Sequence, residues 1–170
     1  GLSVINTPAA SSSSVAELVF AHLFGGVRFL YDSNRNMPLE GESNFKDLKK
    51  AYAKGIELRG KTIGIIGFGR IGQEVAKIGL GLGMNVVAAD KYMDSAEIEV
   101  SLFNGASLKV SIETISMESV LEQSDFISLH VPAQKDYVIG SKEFGMMKDG
   151  SAIINAARGG VIDEVALVSA

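Results

Sequence analysis

The sequence predicts a doubly wound α/β fold in which a mostly parallel sheet is preceded by a helix and an arm. Short, continuous apolar runs recur from residue 61 onward, as in parallel strands that are covered on both faces. Between the first two runs, Ile71, Val75, Ile78 and Leu82 form one apolar stripe of an amphipathic helix. Strands that alternate with helices along a chain are typical of a sheet with helices on both sides.

Several of the apolar runs are predicted to be strands, and one segment between them is predicted to be a shorter helix. The strands are predicted over residues 62–66, 85–89, 125–129 and 151–154. The shorter helix is predicted over residues 117–123, whereas residues 101–112 are ambiguous and contain a weak strand at 108–112. We therefore expect residues 61–170 to form one sheet domain.

The first 60 residues are expected to form a linking strand, a long helix and an arm that pack on this domain. Residues 1–8 have the pattern of a short strand that ends in a turn. Ser14 and Glu17 are spaced as in a capping box, which predicts a helix from Val15. This helix is apolar nearly all round and is expected to be buried, with Gly25 and Gly26 allowing another backbone to pack closely.

Residues 31–60 are polar and mixed in charge, and they are predicted to be a connecting arm. Asn34, Asn36, Pro38 and Gly41 are residue types typical of loops. Only residues 45–53 have a helical pattern, so we expect most of the arm to be irregular.

Composition excludes several classes of function. The 170 residues include 16 Lys and Arg and 20 Asp and Glu, which gives a net charge of −4 without a basic cluster. This charge argues against a nucleic-acid partner. The chain has no cysteine and 2 histidines, which excludes disulfides, thiol nucleophiles and thiolate zinc sites and leaves no basis for predicting a metal centre.

The longest apolar stretch, residues 15–31, is predicted to be a buried helix rather than a membrane span. It is interrupted by Glu17, His22 and Arg28 and is shorter than the roughly 20 residues that a span needs. No basic segment followed by an apolar run suggests a secretory signal, so we expect a cytoplasmic protein without a membrane partner. The chain ends within a helix-like pattern, from which we expect it to be part of something longer.

A glycine-rich turn follows the first strand of the sheet domain. Gly67, Gly69 and Gly72, with Arg70 and Ile71 between the last two, fit the pattern G-x-G-x-x-G. Because the motif follows a buried strand and opens an amphipathic helix, it predicts a Rossmann-type dinucleotide site with phosphates at the helix N-terminus. The alternative is a tight strand–helix turn without a ligand.

Asp90 ends the second predicted strand, where a carboxylate can accept hydrogen bonds from the hydroxyls of the adenosine ribose. Such a carboxylate would repel the 2′-phosphate of NADP. The residue therefore predicts NAD rather than NADP as the cofactor. A helix cap or a turn is the structural alternative for this aspartate.

Arg158 lies just past the last predicted strand, in a segment of small residues. Strand ends of this kind face the ligand crevice of a doubly wound sheet, and a guanidinium there can hold a carboxylate through two hydrogen bonds. A surface ion pair or a bond to a carbonyl remains the alternative role for this side chain.

The order of the motifs resembles that of the D-isomer-specific 2-hydroxyacid dehydrogenases. The similar segments are residues 4–8, 14–18, 57–62, 67–72, 130–132 and 155–166. They extend over nearly the whole chain. The family usually has threonine in the loop after His-x-Pro, whereas this chain has Ala133 to Tyr137 there.

The resemblance implies a role for each of these segments. It implies that Arg70 and Ile71 contact the pyrophosphate of NAD, that Asp90 contacts the ribose, and that His130, Val131 and Pro132 flank the cofactor. Ala156, Ala157 and Arg158 would lie beside the nicotinamide, with Arg158 also holding the substrate carboxylate. The long helix and the arm resemble the part through which such domains form homodimers.

The resemblance also implies a reaction, which is hydride transfer between NAD(H) and a small D-2-hydroxy acid. The family's catalytic histidine and its paired glutamate would lie downstream of Ala170, and the substrate domain mostly upstream of Gly1. His22 is expected to be a packed neutral imidazole, and neither it nor His130 is expected to be the general base. The alternatives are an NAD(H)-sensing module like the corepressors related to these enzymes, and an NADP-linked reductase of the same family.

Overall fold

The computed structural model describes residues 7 and 9–170, so most of the predicted strand at 1–8 lies outside the described residues. The described part contains six helices and six strands. The helices are α1 (Ser12–Val27), α2 (Leu30–Tyr52), α3 (Arg70–Gly81), α4 (Met117–Gln123), α5 (Ser141–Phe144) and α6 (Glu164–Ser169). The strands are β1 (Thr62–Ile66), β2 (Asn85–Ala89), β3 (Ser95–Ser101), β4 (Ser107–Glu113), β5 (Phe126–Leu129) and β6 (Ala152–Asn155).

The central sheet is parallel and has the order β2-β1-β5-β6. Its strands are the predicted ones, with the third and fourth beginning one residue later than expected. The last residues of the strands are in register, since Ile66 pairs with both Ala89 and Leu129, and Leu129 pairs with Asn155. The loops that follow the strands therefore all begin at one edge of the sheet.

Both faces of the sheet are covered, which confirms the predicted doubly wound fold. On one face, Ile63 and Ile65 belong to a buried cluster that includes Phe20 of α1 and Val75 of α3. On the other face, Ile127 packs in a cluster with α4 side chains. Gly64 faces α4 so closely that a Cβ there would overlap Ser124 Oγ, so the sheet and α4 are in direct contact.

The long N-terminal helix begins earlier than predicted. It begins at Ser12 rather than Val15, and the Ser14 hydroxyl donates to the Ser11 carbonyl at 3.0 Å instead of forming a capping box. The predicted box was wrong because the chain is already helical at Ser14. At Gly25 and Gly26, no atom of the described residues outside their own helix lies within 4 Å of a Cβ built there, so the described chain supplies no backbone that packs against them.

The predicted irregular arm is instead a helical hairpin. Asn36 Nδ2 donates to the Tyr52 hydroxyl at 2.9 Å, although a straight helix would separate these residues by about 24 Å. The chain reverses at Asn44, whose φ of −128° is not helical. Tyr52 also contacts the ring of Phe29, which joins α1 to α2 in a left-handed conformation with φ 54°. These tertiary contacts stabilise helix in a segment whose composition is typical of a loop.

Residues 95–113, of which 101–112 were ambiguous in the sequence, form an antiparallel hairpin of β3 and β4. The weak strand at 108–112 is confirmed, but β3 was missed. The hairpin anchors itself to the domain by two buried side chains, Ile98 and Ile112. Its tip is turned outward, with Phe103 fully exposed.

Within the described residues, no single helix is long and apolar enough to cross a membrane. The pair of α1 and α2 reaches that length and composition only when taken together across a bend of 51°.

Candidate functional site

The turn between β1 and α3 requires two of its three glycines. Gly67 has a φ of 95°, and a Cβ there would lie 2.5 Å from the His130 carbonyl oxygen. A Cβ at Gly72 would overlap the Gly67 carbonyl oxygen, so α3 packs directly against the turn. Gly69 is different, because nothing lies within 4 Å of a Cβ built there. The turn is thus tight on its inner side and open at Gly69.

The open side of the turn is the N-terminus of α3. Gly69 is the N-cap residue and offers no side-chain hydrogen bond to the first helical turn. Arg70 is exposed and Ile71 is half-buried at a cavity of about 230 Å³ that Ser12, Gly72 and His130 also line. The first N–H groups of a helix and its dipole favour an anion. The geometry therefore suits a phosphate group at this position.

Asp90 is fixed beside the glycine turn by two backbone donors. Its Oδ2 accepts from Phe68 N at 2.6 Å and its Oδ1 accepts from Tyr92 N at 2.8 Å. The bond to Tyr92 closes a local turn, as the structural alternative expected, but the bond to Phe68 also ties the carboxylate to the phosphate turn. Each carboxylate oxygen has further acceptor capacity, which is what binding of ribose hydroxyls needs.

His130 follows β5, and its backbone lies beside the glycine turn. Its backbone N–H donates to Ile66 O at 2.7 Å, and its Nε2 is 2.8 Å from Ser128 Oγ. Its Nδ1 is buried and has no hydrogen-bond partner in the described part of the chain. Burial lowers the pKa of His130 to about 4, so the imidazole is neutral near pH 7. Val131 is half-buried and Pro132 is exposed beside it.

His130 should make the folded protein sensitive to acid. The pKa is about 4 when folded and about 6.5 when unfolded, so between these values the unfolded state binds more protons. We expect the free energy of unfolding to lose about 3 kcal/mol from this residue as pH falls from 7 to 4. Chemical denaturation across this range should show a smaller loss for His130→Gln than for wild type.

The other histidine provides the matched control for this experiment. His22 was expected to be packed inside a buried helix, but its side chain is exposed. His22→Gln should therefore follow the wild-type pH dependence. A His130→Gln profile parallel to wild type would contradict the assignment to His130.

The loop after β6 is held by Asn155. The Asn155 side chain donates to Arg158 O at 2.8 Å and accepts from Ala157 N at 3.1 Å. Ala156 and Ala157 are half-buried, and the exposed Arg158 side chain bonds only to the neighbouring Ala157 carbonyl at 2.7 Å among the contacts of the described residues. The predicted carbonyl bond is thus present, but it is local and leaves most of the guanidinium donors accessible.

The structure brings most of the predicted residues to one edge of the sheet. Gly67, Asp90, His130 and Ala156 each directly follow a strand, and those strands end in register. Sequence reasoning missed Ser12, which reaches the cavity at the glycine turn from α1. Four consecutive serines, residues 11–14, stand at the start of that helix, and nothing in the sequence distinguishes Ser12 from its neighbours.

Comparison with known proteins identifies relatives over nearly the whole chain. Residues 20–170 match the model of the family "D-isomer specific 2-hydroxyacid dehydrogenase, NAD binding domain". The chain is 40% identical over 169 residues to a hydroxypyruvate reductase of Thermotoga maritima, covering 98% of this chain and 49% of the relative. It is 37% identical over 172 residues to a D-3-phosphoglycerate dehydrogenase of Archaeoglobus fulgidus, covering 100% of this chain and 30% of that protein.

A solved dehydrogenase structure also matches nearly the whole chain. The apo structure of D-lactate dehydrogenase from Escherichia coli superimposes with a TM-score of 0.76 at 30% identity, covering 99% of this chain and 49% of the other. The chain thus spans half or less of the length of these relatives.

Proposed function

Because the chain belongs to the D-isomer-specific 2-hydroxyacid dehydrogenase family, as its NAD-binding domain, we propose that it serves an enzyme that oxidises a D-2-hydroxy acid. The observation that carries this proposal is the alignment of the strand ends, which gathers the glycine turn, Asp90, His130 and the Ala156–Arg158 loop at one sheet edge. In a doubly wound sheet that edge holds the ligand crevice.

The residues of this chain bind and orient the reactants. The N-terminus of α3 receives the pyrophosphate at Arg70 and Ile71, and Asp90 accepts hydrogen bonds from the adenosine ribose. His130, Val131 and Pro132 flank the cofactor, and Ala156 and Ala157 lie beside the nicotinamide. The bound cofactor supplies the hydride acceptor at the nicotinamide ring.

Arg158 is proposed to hold the substrate carboxylate and orient carbon 2 of the hydroxy acid. The cofactor, held by the residues named above, would supply the acceptor for the hydride from carbon 2, and the hydroxyl proton would pass to a histidine outside this chain. The exposure of Arg158 and the free donors of its guanidinium support this role.

We propose D-3-phosphoglycerate as the substrate and serine biosynthesis as the setting, because D-3-phosphoglycerate dehydrogenases recur among the relatives. A second candidate is the reduction of hydroxypyruvate or glyoxylate, which relatives of 40% and 36% identity support. Asp90 argues against an NADP-linked form of the second reaction. An NAD-sensing module without turnover is the third candidate.

The test is steady-state kinetics of an enzyme that contains this chain together with its substrate domain. We expect NAD-dependent oxidation of D-3-phosphoglycerate with a higher kcat/KM than for D-glycerate, and no turnover by residues 1–170 alone. Arg158→Lys should lower kcat/KM about tenfold or more, because a lysine cannot form the paired bonds of a guanidinium. Lys148→Arg, at an exposed ion pair with Asp125, is the control.

The outcomes separate the candidates. A preference for hydroxypyruvate or glyoxylate would replace the proposed substrate. NAD binding without turnover of any of these acids would favour the sensing module. An unchanged kcat/KM in Arg158→Lys would remove the role of Arg158.

We further propose that residues 1–60 pack on the 61–170 domain and carry the surface of a homodimer. Large apolar side chains are exposed on α1 and α2, among them Leu18, Phe24, Leu39 and Phe45. Exposed apolar surface of this kind is typical of protein interfaces. A single-chain mass in sedimentation equilibrium at micromolar concentration would contradict the dimer.

A further inference from the structure

Helix α2 buries little surface within its own chain. Leu48 is the one buried residue among its 23, and α1 is its main packing partner in the described part of the chain. An open groove of about 620 Å³ lies along its first half, lined by Leu30, Tyr31, Ser33, Asn34, Met37 and Pro38. Because helices in proteins are stabilised mainly by packing of an apolar face, the exposed groove indicates that another surface covers α2.

The β3–β4 hairpin ends in an apolar tip that the described residues leave uncovered. On its inner face, Ile98 is buried at the base, whereas Leu108 is 60% exposed nearer the turn. Phe103, in the turn itself, is fully exposed. A hydrogen bond from Gly105 N to Leu102 O at 3.0 Å closes the turn, so Phe103 projects from a defined structure rather than from a loose loop. Large apolar side chains that are presented in this way are typical of interface anchors.

The hairpin and the second half of α2 carry opposite charges. The strand register brings three exposed glutamates and one lysine to the outer face of the hairpin: Glu97, Glu99, Glu113 and Lys109. Residues 45–54 instead carry one aspartate and four exposed lysines: Lys46, Lys49, Lys50 and Lys54. The first three of these lysines share one face of α2, since they are spaced at i, i+3 and i+4. Complementary charge of this kind fixes the partner and the register of an interface.

The presence of both surfaces on one chain indicates a second copy of the chain as the partner. In a two-fold dimer each contact occurs twice, so both halves of a complementary pair are used by the same two molecules. Within one copy the two surfaces do not meet, because Phe103 stays fully exposed. Since α2 packs on α1, the contact is continuous with the proposed homodimer surface of residues 1–60.

We propose that the β3–β4 hairpin docks on α2 of a second copy of this chain, with Phe103 in the groove and the acidic outer face against the lysines of residues 45–54. This inference rests on the proposed homodimer and assigns the 61–170 domain a part in it. The contact is reciprocal, so two hairpins and two α2 helices close the dimer.

Sedimentation equilibrium of the 170-residue chain tests the apolar part of the contact. We expect Phe103→Ser to raise the dimer dissociation constant about a hundredfold or more, because each dimer loses two buried phenylalanines. Tyr137→Ser, at an exposed aromatic residue outside both surfaces, is the control and should dimerise as wild type does. Far-UV circular dichroism should be unchanged in both variants. A dissociation constant for Phe103→Ser equal to that of wild type would overturn the docking.

Charge reversal tests the pairing of the two charged faces. Glu97→Lys with Glu99→Lys, and separately Lys49→Glu with Lys50→Glu, should each weaken the dimer about tenfold, because like charges then meet across the interface. The chain with all four substitutions should recover most of the wild-type affinity. A combined variant that dimerises as weakly as either double variant would show that these faces do not pair.

Cross-linking tests the geometry, and the absence of cysteine from the sequence makes it specific. An equimolar mixture of Ala106→Cys, at the hairpin tip, and Asn34→Cys, at the groove, is treated with a short bis-maleimide. We expect a cross-linked dimer that contains one copy of each variant. In the control mixture, Glu118→Cys on the exposed surface of α4 replaces Asn34→Cys. No more product than in the control would overturn the docking.

The outcomes also separate this inference from the proposed function. A wild-type chain that stays monomeric at micromolar concentration would overturn both the homodimer and the docking. A wild-type dimer that neither Phe103→Ser nor the charge reversals weaken would overturn the docking alone. A cross-linked dimer that binds no NADH would support the docking and remove the proposed function.

Discussion

Gly72→Ala should abolish NADH binding and lower the free energy of unfolding by about 3 kcal/mol or more. A Cβ at this position would overlap the Gly67 carbonyl oxygen and would lie 3.0 Å from Ile65 Cγ2. Backbone cannot move aside as a flexible side chain can, so α3 must shift away from β1. That shift displaces the N-terminus of α3, which is the proposed phosphate site. Urea denaturation and NADH titration measure the two effects.

Two other glycines help to interpret this variant: Gly81→Ala is the control, and Gly69→Ala separates the effect on binding from the effect on stability. Gly81, at the end of α3, has open space around it, so Gly81→Ala should fold and bind as wild type does. Gly69→Ala should change the free energy of unfolding by less than about 1 kcal/mol, because nothing lies near the added methyl group. Gly69→Ala should still weaken NADH binding, since the added methyl group occupies the side that the phosphate approaches. Wild-type stability and affinity in Gly72→Ala would contradict the geometry of the turn.

Asp90→Ala should lower the affinity for NADH about a hundredfold, as expected for the loss of two charge-assisted hydrogen bonds. The affinity for NADPH should fall far less, because the carboxylate of wild type repels the 2′-phosphate of NADPH. The preference for NADH over NADPH should therefore largely disappear. Fluorescence titration with both cofactors measures this change in selectivity.

Asp90 also accepts from Phe68 N and Tyr92 N, so a second variant is needed to separate ribose binding from loop support. Asp90→Asn removes the charge but retains one acceptor oxygen, and its NADH affinity should lie between those of wild type and Asp90→Ala. Asp94→Ala, at an exposed carboxylate four residues further along, is the control for a general charge effect. An unchanged ratio of NADH to NADPH affinity in Asp90→Ala would rule out the ribose role.

The part of the site formed by local sequence was predictable. β1, the glycine turn, α3 and Asp90 follow one another within thirty residues, and each has a strong local signal in apolar runs, glycine spacing or strand ends. The overlap of a Gly72 Cβ with Gly67 O shows why this spacing is needed. In this part of the chain, the structure that the local sequence pattern predicts is the one that the tertiary packing requires.

The features that sequence did not predict depend on contacts between distant residues. Tyr52 stabilises the helical hairpin of α2 through its contacts with Phe29 and Asn36. The asparagines and the proline of α2 favour a loop locally, so the sequence alone predicted an irregular arm. Ser12 lines the cavity at the glycine turn only because folding brings the start of α1 to the start of α3, nearly sixty residues later. β3 was missed because the alternation of strand and helix suggested a helix-linked sheet, not an antiparallel hairpin.

The central claim is that the sheet edge of this chain is an NAD site, and the direct test is titration of the wild-type chain with NADH and NADPH by nicotinamide fluorescence. Saturable NADH binding with much weaker NADPH binding is the predicted result. Equal affinity for both cofactors would contradict the role of Asp90, and no binding of either to a folded chain would contradict the site itself.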